Sequence, residues 1–145
     1  MSTDDPFDLN RFVAAQDTDG IYDLALEELR RGRKTSHWMW FVFPQIAGLG
    51  HSPMSQRFSL SSLEEAKAYL QHPVLGPRLI ECTEVVVESI GRTAEEIFGA
   101  VDAQKLQSSM TLFMRALPDE PHFKQVLRLY FDGQPDPATD RLLIA

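Results

Sequence analysis

Apolar residues recur along this chain at intervals of three and four, the spacing of one face of a helix, from Leu9 almost to the last residue. Leu9, Phe12 and Val13 open the pattern and run into the turn cluster Asp17-Thr18-Asp19-Gly20. Ile21, Leu24, Ala25 and Leu29 then define a second helix, with Glu27 and Glu28 off its apolar face and Gly32 as its stop. After a loop rich in glycine and proline, Ser61 or Ser62 precedes Glu64 and Glu65 in a capping-box-like order. That opens a helix with Ala66, Tyr69 and Leu70 facing the core. Leu79, Cys82, Thr83, Val86, Val87 and Ile90 form one broad apolar stripe. The segment from Val74 to Ile90, with a helix start near Pro77, is therefore expected to be the central and most buried helix.

Thr93 is placed to cap a short helix that Gly99 closes. From Asp102, Leu106, Met110, Phe113, Met114 and Leu117 share a face that Pro118 ends. Phe123, Val126, Leu127 and Tyr130 repeat the pattern, and Thr139 is expected to cap a last helix from Asp140. No alternating strand pattern stands out. The sum is an all-α, compact multihelical single domain of about seven helices over residues 1–145, with residues 1–8 as a flexible tail.

One segment resists assignment by period. In His37-Trp38-Met39-Trp40-Phe41-Val42-Phe43-Pro44 the aromatic run is continuous and fits a buried strand or a buried helical turn equally well. It holds both tryptophans of the chain, with Lys34, Ser36 and His37 before them and Gln45, Gly48 and Gly50 after. An indole face can stack on a planar ring, His37 can exchange a proton near neutral pH, and glycine backbone can approach an anion. The competing role for Trp38, Trp40, Phe41 and Phe43 is core filling.

Charge and cysteine content narrow the classes. With 21 acidic and 14 basic side chains the net charge is −7, which opposes binding to a polyanion, so no nucleic-acid partner is expected. Arg30, Arg31, Arg33 and Lys34 are a local exception, readable as a solvated helix C-terminus or as an anion site. The single cysteine, Cys82, sits on an apolar stripe and reads as core. No run of about 18 apolar residues suggests a membrane span, and the acidic N-terminus does not resemble a signal peptide. A cytoplasmic, unanchored protein is expected. The four histidines are too scattered to suggest a metal site, and no cofactor is implied.

A second cluster, Asp102, Lys105, Ser108 and Ser109, falls on one side of a helix. A serine and a lysine can form a nucleophile and its base, and an ion pair of Asp102 with Lys105 is the simpler reading. The runs Gly32 to Gln45, Gly48-Leu49-Gly50, His72 to Leu79 and Lys105 to Phe113 together resemble an uncharacterised bacterial family, domain of unknown function 1810. That resemblance implies a multihelical fold and no established activity; the automated label calpastatin that its members often carry has no support in these residues. In the order of His72 to Leu79, then Phe98-Gly99 and an aspartate, the chain is also weakly similar to predicted N-glycosidases that process NAD and ADP-ribose.

Together these features place a small-molecule site, for a nucleotide or ribosyl compound, where the Lys34–Gly50 block meets Arg78 and the start of the Lys105–Ser109 helix. Trp38 or Trp40 would stack the ring, and Arg78 and Lys105 would hold anionic groups. His37 would move a proton if catalysis occurs, with Lys34, Ser36, Gln45, Ser108 and Ser109 as further contacts. A module that meets a protein partner through exposed aromatic surface is the alternative. A concave pocket with buried polar groups would favour the ligand and a flat apolar patch the partner, while a third, purely structural role would require His37, Arg78 and Lys105 to scatter apart.

Overall fold

A computed structural model describes residues 5–89 and 91–144. Its α-helices are α1 (Asn10–Asp17), α2 (Ile21–Arg30), α3 (Met39–Val42), α4 (Pro53–Arg57), α5 (Leu63–Gln71), α6 (Leu75–Glu88), α7 (Ala94–Phe98), α8 (Ala100–Ala116), α9 (Pro121–Tyr130) and α10 (Pro137–Ile144). A single 3-10 turn, Thr18–Gly20, links the first two. Among the described residues the only β-type pairing is one isolated parallel bridge, Ile46 with Leu60. The all-α class is as expected, and the short α3 and α4 add to the helices that periodicity reveals. No helix among the described residues is long and apolar enough to cross a membrane.

The expected start signals are mostly used. Ser62 accepts from the backbone N–H of Glu65, and Thr93 forms a full capping box with Glu96. Two differ. Helix α6 begins at Leu75 rather than Pro77, because the His72 ring Nδ1 accepts from the N–H groups of Val74 and Leu75, and a proline inside the first turn costs no hydrogen bond. Helix α10 is capped by Asp136, not Thr139: Asp136 Oδ2 accepts from both the N–H and the hydroxyl of Thr139. Of the expected tail, residues 5–8 make a turn in which Asp5 accepts from the N–H groups of Leu9 and Asn10, and residues 1–4 lie outside the described residues.

The centre of the core is α8 rather than the expected α6. Leu106, Met110, Leu112 and Phe113 are fully buried, and α8 packs against α5, α7, α9 and α10. Helix α6 supplies Leu75, Leu79, Cys82 and Val86 to the same core, and Ile90 lies outside the described residues. At the α5–α6 corner a Cβ on Gly76 would stand 2.1 Å from the carbonyl oxygen of Leu70, so only glycine allows this approach. Burial pushes the Cys82 thiol up to about 12, in keeping with a core residue.

The aromatic block folds as one helical turn, α3, and one carboxylate organises its approach. Helix α2 ends in a Schellman turn in which Arg33 N–H donates to Glu28 and Gly32 N–H to Leu29, with Gly32 at φ 72°. The chain then doubles back over Glu28, a residue only 1% exposed. Its carboxylate accepts from the N–H groups of Thr35 and Ser36, the Ser36 hydroxyl and the Trp38 indole N–H. Burial alone would raise its pKa. The four hydrogen bonds prevail and hold the carboxyl down at about 2.

Replacing Glu28 with Gln keeps the shape but turns one acceptor into a donor facing donors, and should lower the unfolding free energy by roughly 2–4 kcal/mol. Because the folded pKa lies below the ordinary 4.5, this contribution is complete above that pH and is lost as pH falls toward about 2. Urea denaturation of the protein and of Glu28→Gln should therefore show a gap near neutrality that narrows below pH 4.5. An equal gap at every pH would contradict it.

Candidate functional site

The polar edge of the block divides between different faces of the molecule. Lys34 turns inward: its ammonium lies 2.7 Å from Asp102 Oδ2, donates to the Ser36 carbonyl at 2.6 Å and sits 5.0 Å from the centre of the Trp38 ring. Its side chain is only 7% exposed, and its backbone N–H donates to the Ile97 carbonyl, so side chain and main chain both tie the block to the α7–α8 corner. Asp102 Oδ1 is 3.7 Å from the Lys105 ammonium, which stands 5.2 Å over the half-buried Trp40 ring. The expected Asp102–Lys105 pair thus exists, as half of a lysine–aspartate–lysine arrangement.

One turn further along α8, Ser108 accepts from Gln45 Nε2 at 2.6 Å while its own hydroxyl donates to the Lys105 carbonyl at 3.0 Å. Here the loop after α3 meets α8 and the start of α10, leaving a cleft of about 200 Å³. Gln45, Leu49 and Gly50 form one side, Val101, Gln104, Lys105 and Ser108 the second, Asp136 and Ala138 the third. Asp136 is buried and was not singled out in the sequence, although aspartate directly before the proline that opens a helix is an N-cap signal.

Of the residues expected to act together, the cleft gathers Gln45, Lys105 and Ser108, with Trp40 beneath Lys105 and Lys34 across Asp102. The others lie elsewhere. Arg78 stacks 4.7 Å over Tyr22, pairs with Asp17 at 2.8 Å and donates to Gln16, whose amide in turn donates to the Phe41 carbonyl. His37 is exposed and lines an open groove with residues of α1 and α4, including Ala15 and Met54. Trp38 is fully buried, with no face open to stack on a ligand, and the Ser36 hydroxyl is taken up by Glu28. Ser109 is fully buried, and its hydroxyl has no partner among the described residues. His37, Arg78 and Lys105 do not converge. Phe41 and Phe43 are buried too, and Trp40 is half-buried. The His72 ring is engaged in capping α6.

The neighbouring serines make opposite predictions. Ser108→Ala removes both the acceptor for Gln45 and the donor to Lys105, and should cost about 1 kcal/mol. Ser109→Ala removes a buried hydroxyl with no partner, and should be neutral or stabilising by up to about 1 kcal/mol. Chemical denaturation of the two variants checks this; a loss at Ser109 matching that at Ser108 would refute the assignment.

Comparison with known proteins supplies a family. Among curated proteins none matches this chain. The crystal structure of the conserved hypothetical protein Rv1873 from Mycobacterium tuberculosis is similar, with 56% sequence identity and a TM-score of 0.94 over 97% of this chain and 99% of that one. A family model described as "Protein of unknown function (DUF1810)" matches residues 6–143, nearly the whole length. The chain belongs to the DUF1810 family.

Proposed function

We propose that this protein binds a small polyhydroxylated metabolite of the ribosyl class in the cleft between the loop after α3, α8 and the start of α10. The observation that carries the proposal is the meeting of Gln45, Lys105, Ser108 and Asp136 around one cleft, from segments far apart in sequence. The Gln45 amide N–H and the Ser108 hydroxyl bond to each other, and Asp136 Oδ2 caps α10. That leaves the Gln45 carbonyl, the Lys105 ammonium and Asp136 Oδ1 as a mixed donor and acceptor set suited to sugar hydroxyls. Leu49, Val101 and Ala138 supply apolar edges for a ring face. A volume of about 200 Å³ suits one sugar ring better than a whole dinucleotide.

Binding, not catalysis, is what these groups favour. A serine nucleophile needs a neutral amine to take its proton. The Ser108 hydroxyl instead donates to a backbone carbonyl, and the Lys105 ammonium faces Asp102. His37, the expected proton carrier, lies in a different groove.

Trp40 is the reporter. With only two tryptophans in the chain and the other fully buried, displacement of Lys105 from the Trp40 ring by a ligand should change the emission. Titration with ribose, ribose 5-phosphate and adenosine should give a saturable signal for at least one. The signal should vanish in Trp40→Phe, and the affinity should weaken about tenfold in Lys105→Ala. At ligand concentrations about 100 times Kd the bound protein gains about 2.7 kcal/mol, several degrees in Tm. Neither a fluorescence change nor a thermal shift with any of the three compounds would sink the proposal.

A further inference from the structure

Three arginines line one cleft at the C-terminal end of α2. Arg31, Arg33, Thr35 and Arg92 line an open cleft of about 410 Å³, and it shares no residue with the cleft at α8. Arg31 and Arg33 flank Gly32, whose φ of 72° closes the Schellman turn. Arg92 arrives from the connection between α6 and α7 and lies flat across that glycine: its Nε is 2.8 Å and its Cδ 3.0 Å from where a Cβ on Gly32 would stand. A side chain at position 32 would push Arg92 away, so the turn that ends α2 also seats the third arginine. Among the described residues none of the three guanidinium groups has an ion pair, in a chain with seven more acidic than basic side chains.

The helix dipole does not account for the cluster. A helix C-terminus carries roughly half a negative charge, against three positive ones here. Three of its last four carbonyls, those of Glu27, Glu28 and Leu29, are moreover already satisfied by the N–H groups of Arg31, Arg33 and Gly32. We propose that Arg31, Arg33, Arg92 and the Thr35 hydroxyl bind a phosphate dianion, free or as the monoester of a small molecule. Planar guanidinium forks match phosphate oxygens in pairs, and three of them with a hydroxyl offer more donors than the two oxygens of a carboxylate can accept. A dianion also nearly balances the local charge. An extended polyanion suits the site less, because the net charge of −7 repels it outside this small patch.

The test follows the arginine Nε–H signals of the full chain by NMR at about pH 7.5, where a phosphate monoester is a dianion. The protein is titrated with inorganic phosphate and with glucose 6-phosphate, against sodium chloride and sodium acetate at matched ionic strength. The expected result is a saturable, joint shift of the Arg31, Arg33 and Arg92 signals with one or both phosphates. Affinity should weaken about tenfold in Arg92→Ala and in Arg33→Lys, which loses the fork. Arg92→Gln, which keeps a stem over Gly32, guards against a disturbed turn and should weaken binding equally. The proposal is overturned if chloride or acetate gives the same shifts, if the phosphate shifts do not saturate, or if the substitutions leave affinity unchanged. Binding of a single-stranded oligonucleotide without saturable binding of either phosphate would overturn it too, in favour of a nucleic-acid contact.

Discussion

A buried carboxylate must find donors, and at Glu28 that requirement sets the path of the chain. A charge taken out of water is tolerated only when hydrogen bonds replace its hydration. Here the replacements come from Thr35, Ser36 and Trp38, so the segment after α2 must double back instead of continuing outward. The Trp38 indole is thereby drawn into the core and α3 follows in fixed register, with Phe41, Val42 and Phe43 buried behind it. Gln45 reaches Ser108 only because the turn before it is placed in this way.

Much of the helical framework was legible because amphipathic spacing and caps are local. The Ser62 and Thr93 caps, the Gly32 stop and the apolar faces of α6, α8 and α9 need nothing beyond neighbouring residues. What periodicity cannot rank is depth. Helices α6 and α8 have equally convincing stripes, and α8 becomes the centre because four other helices lean on it, a property of the assembled packing. Glu28 was unreadable for the same reason. It lies off the apolar stripe of α2 and would face water if the chain did not return over it.

The candidate site was half legible. Gln45, Lys105 and Ser108 do share a cleft, because a helix keeps Lys105 and Ser108 on one side and the loop after α3 must cross that side. The cluster around Lys34 misled because closeness in an irregular segment says nothing about facing. Lys34, Ser36 and Trp38 turn inward while His37 between them turns out. Arg78 was drawn in by its charge alone, and serves the corner between α1, α2 and α6.

The double attachment of Lys34 has a mechanical consequence. Its main chain holds Ile97 and its ammonium holds Asp102, which also faces Lys105. The segment leading into the aromatic turn and the first turns of α8 therefore behave as one rigid block, and the Lys105 wall of the cleft cannot swing away from it. The side built from Asp136 and Ala138 is tied to α8 as well, because the Asp136 N–H donates to the Thr111 hydroxyl and Asp140 pairs with Arg115. All three walls of the cleft are thus pinned to one helix, so its shape is settled once α8 is packed.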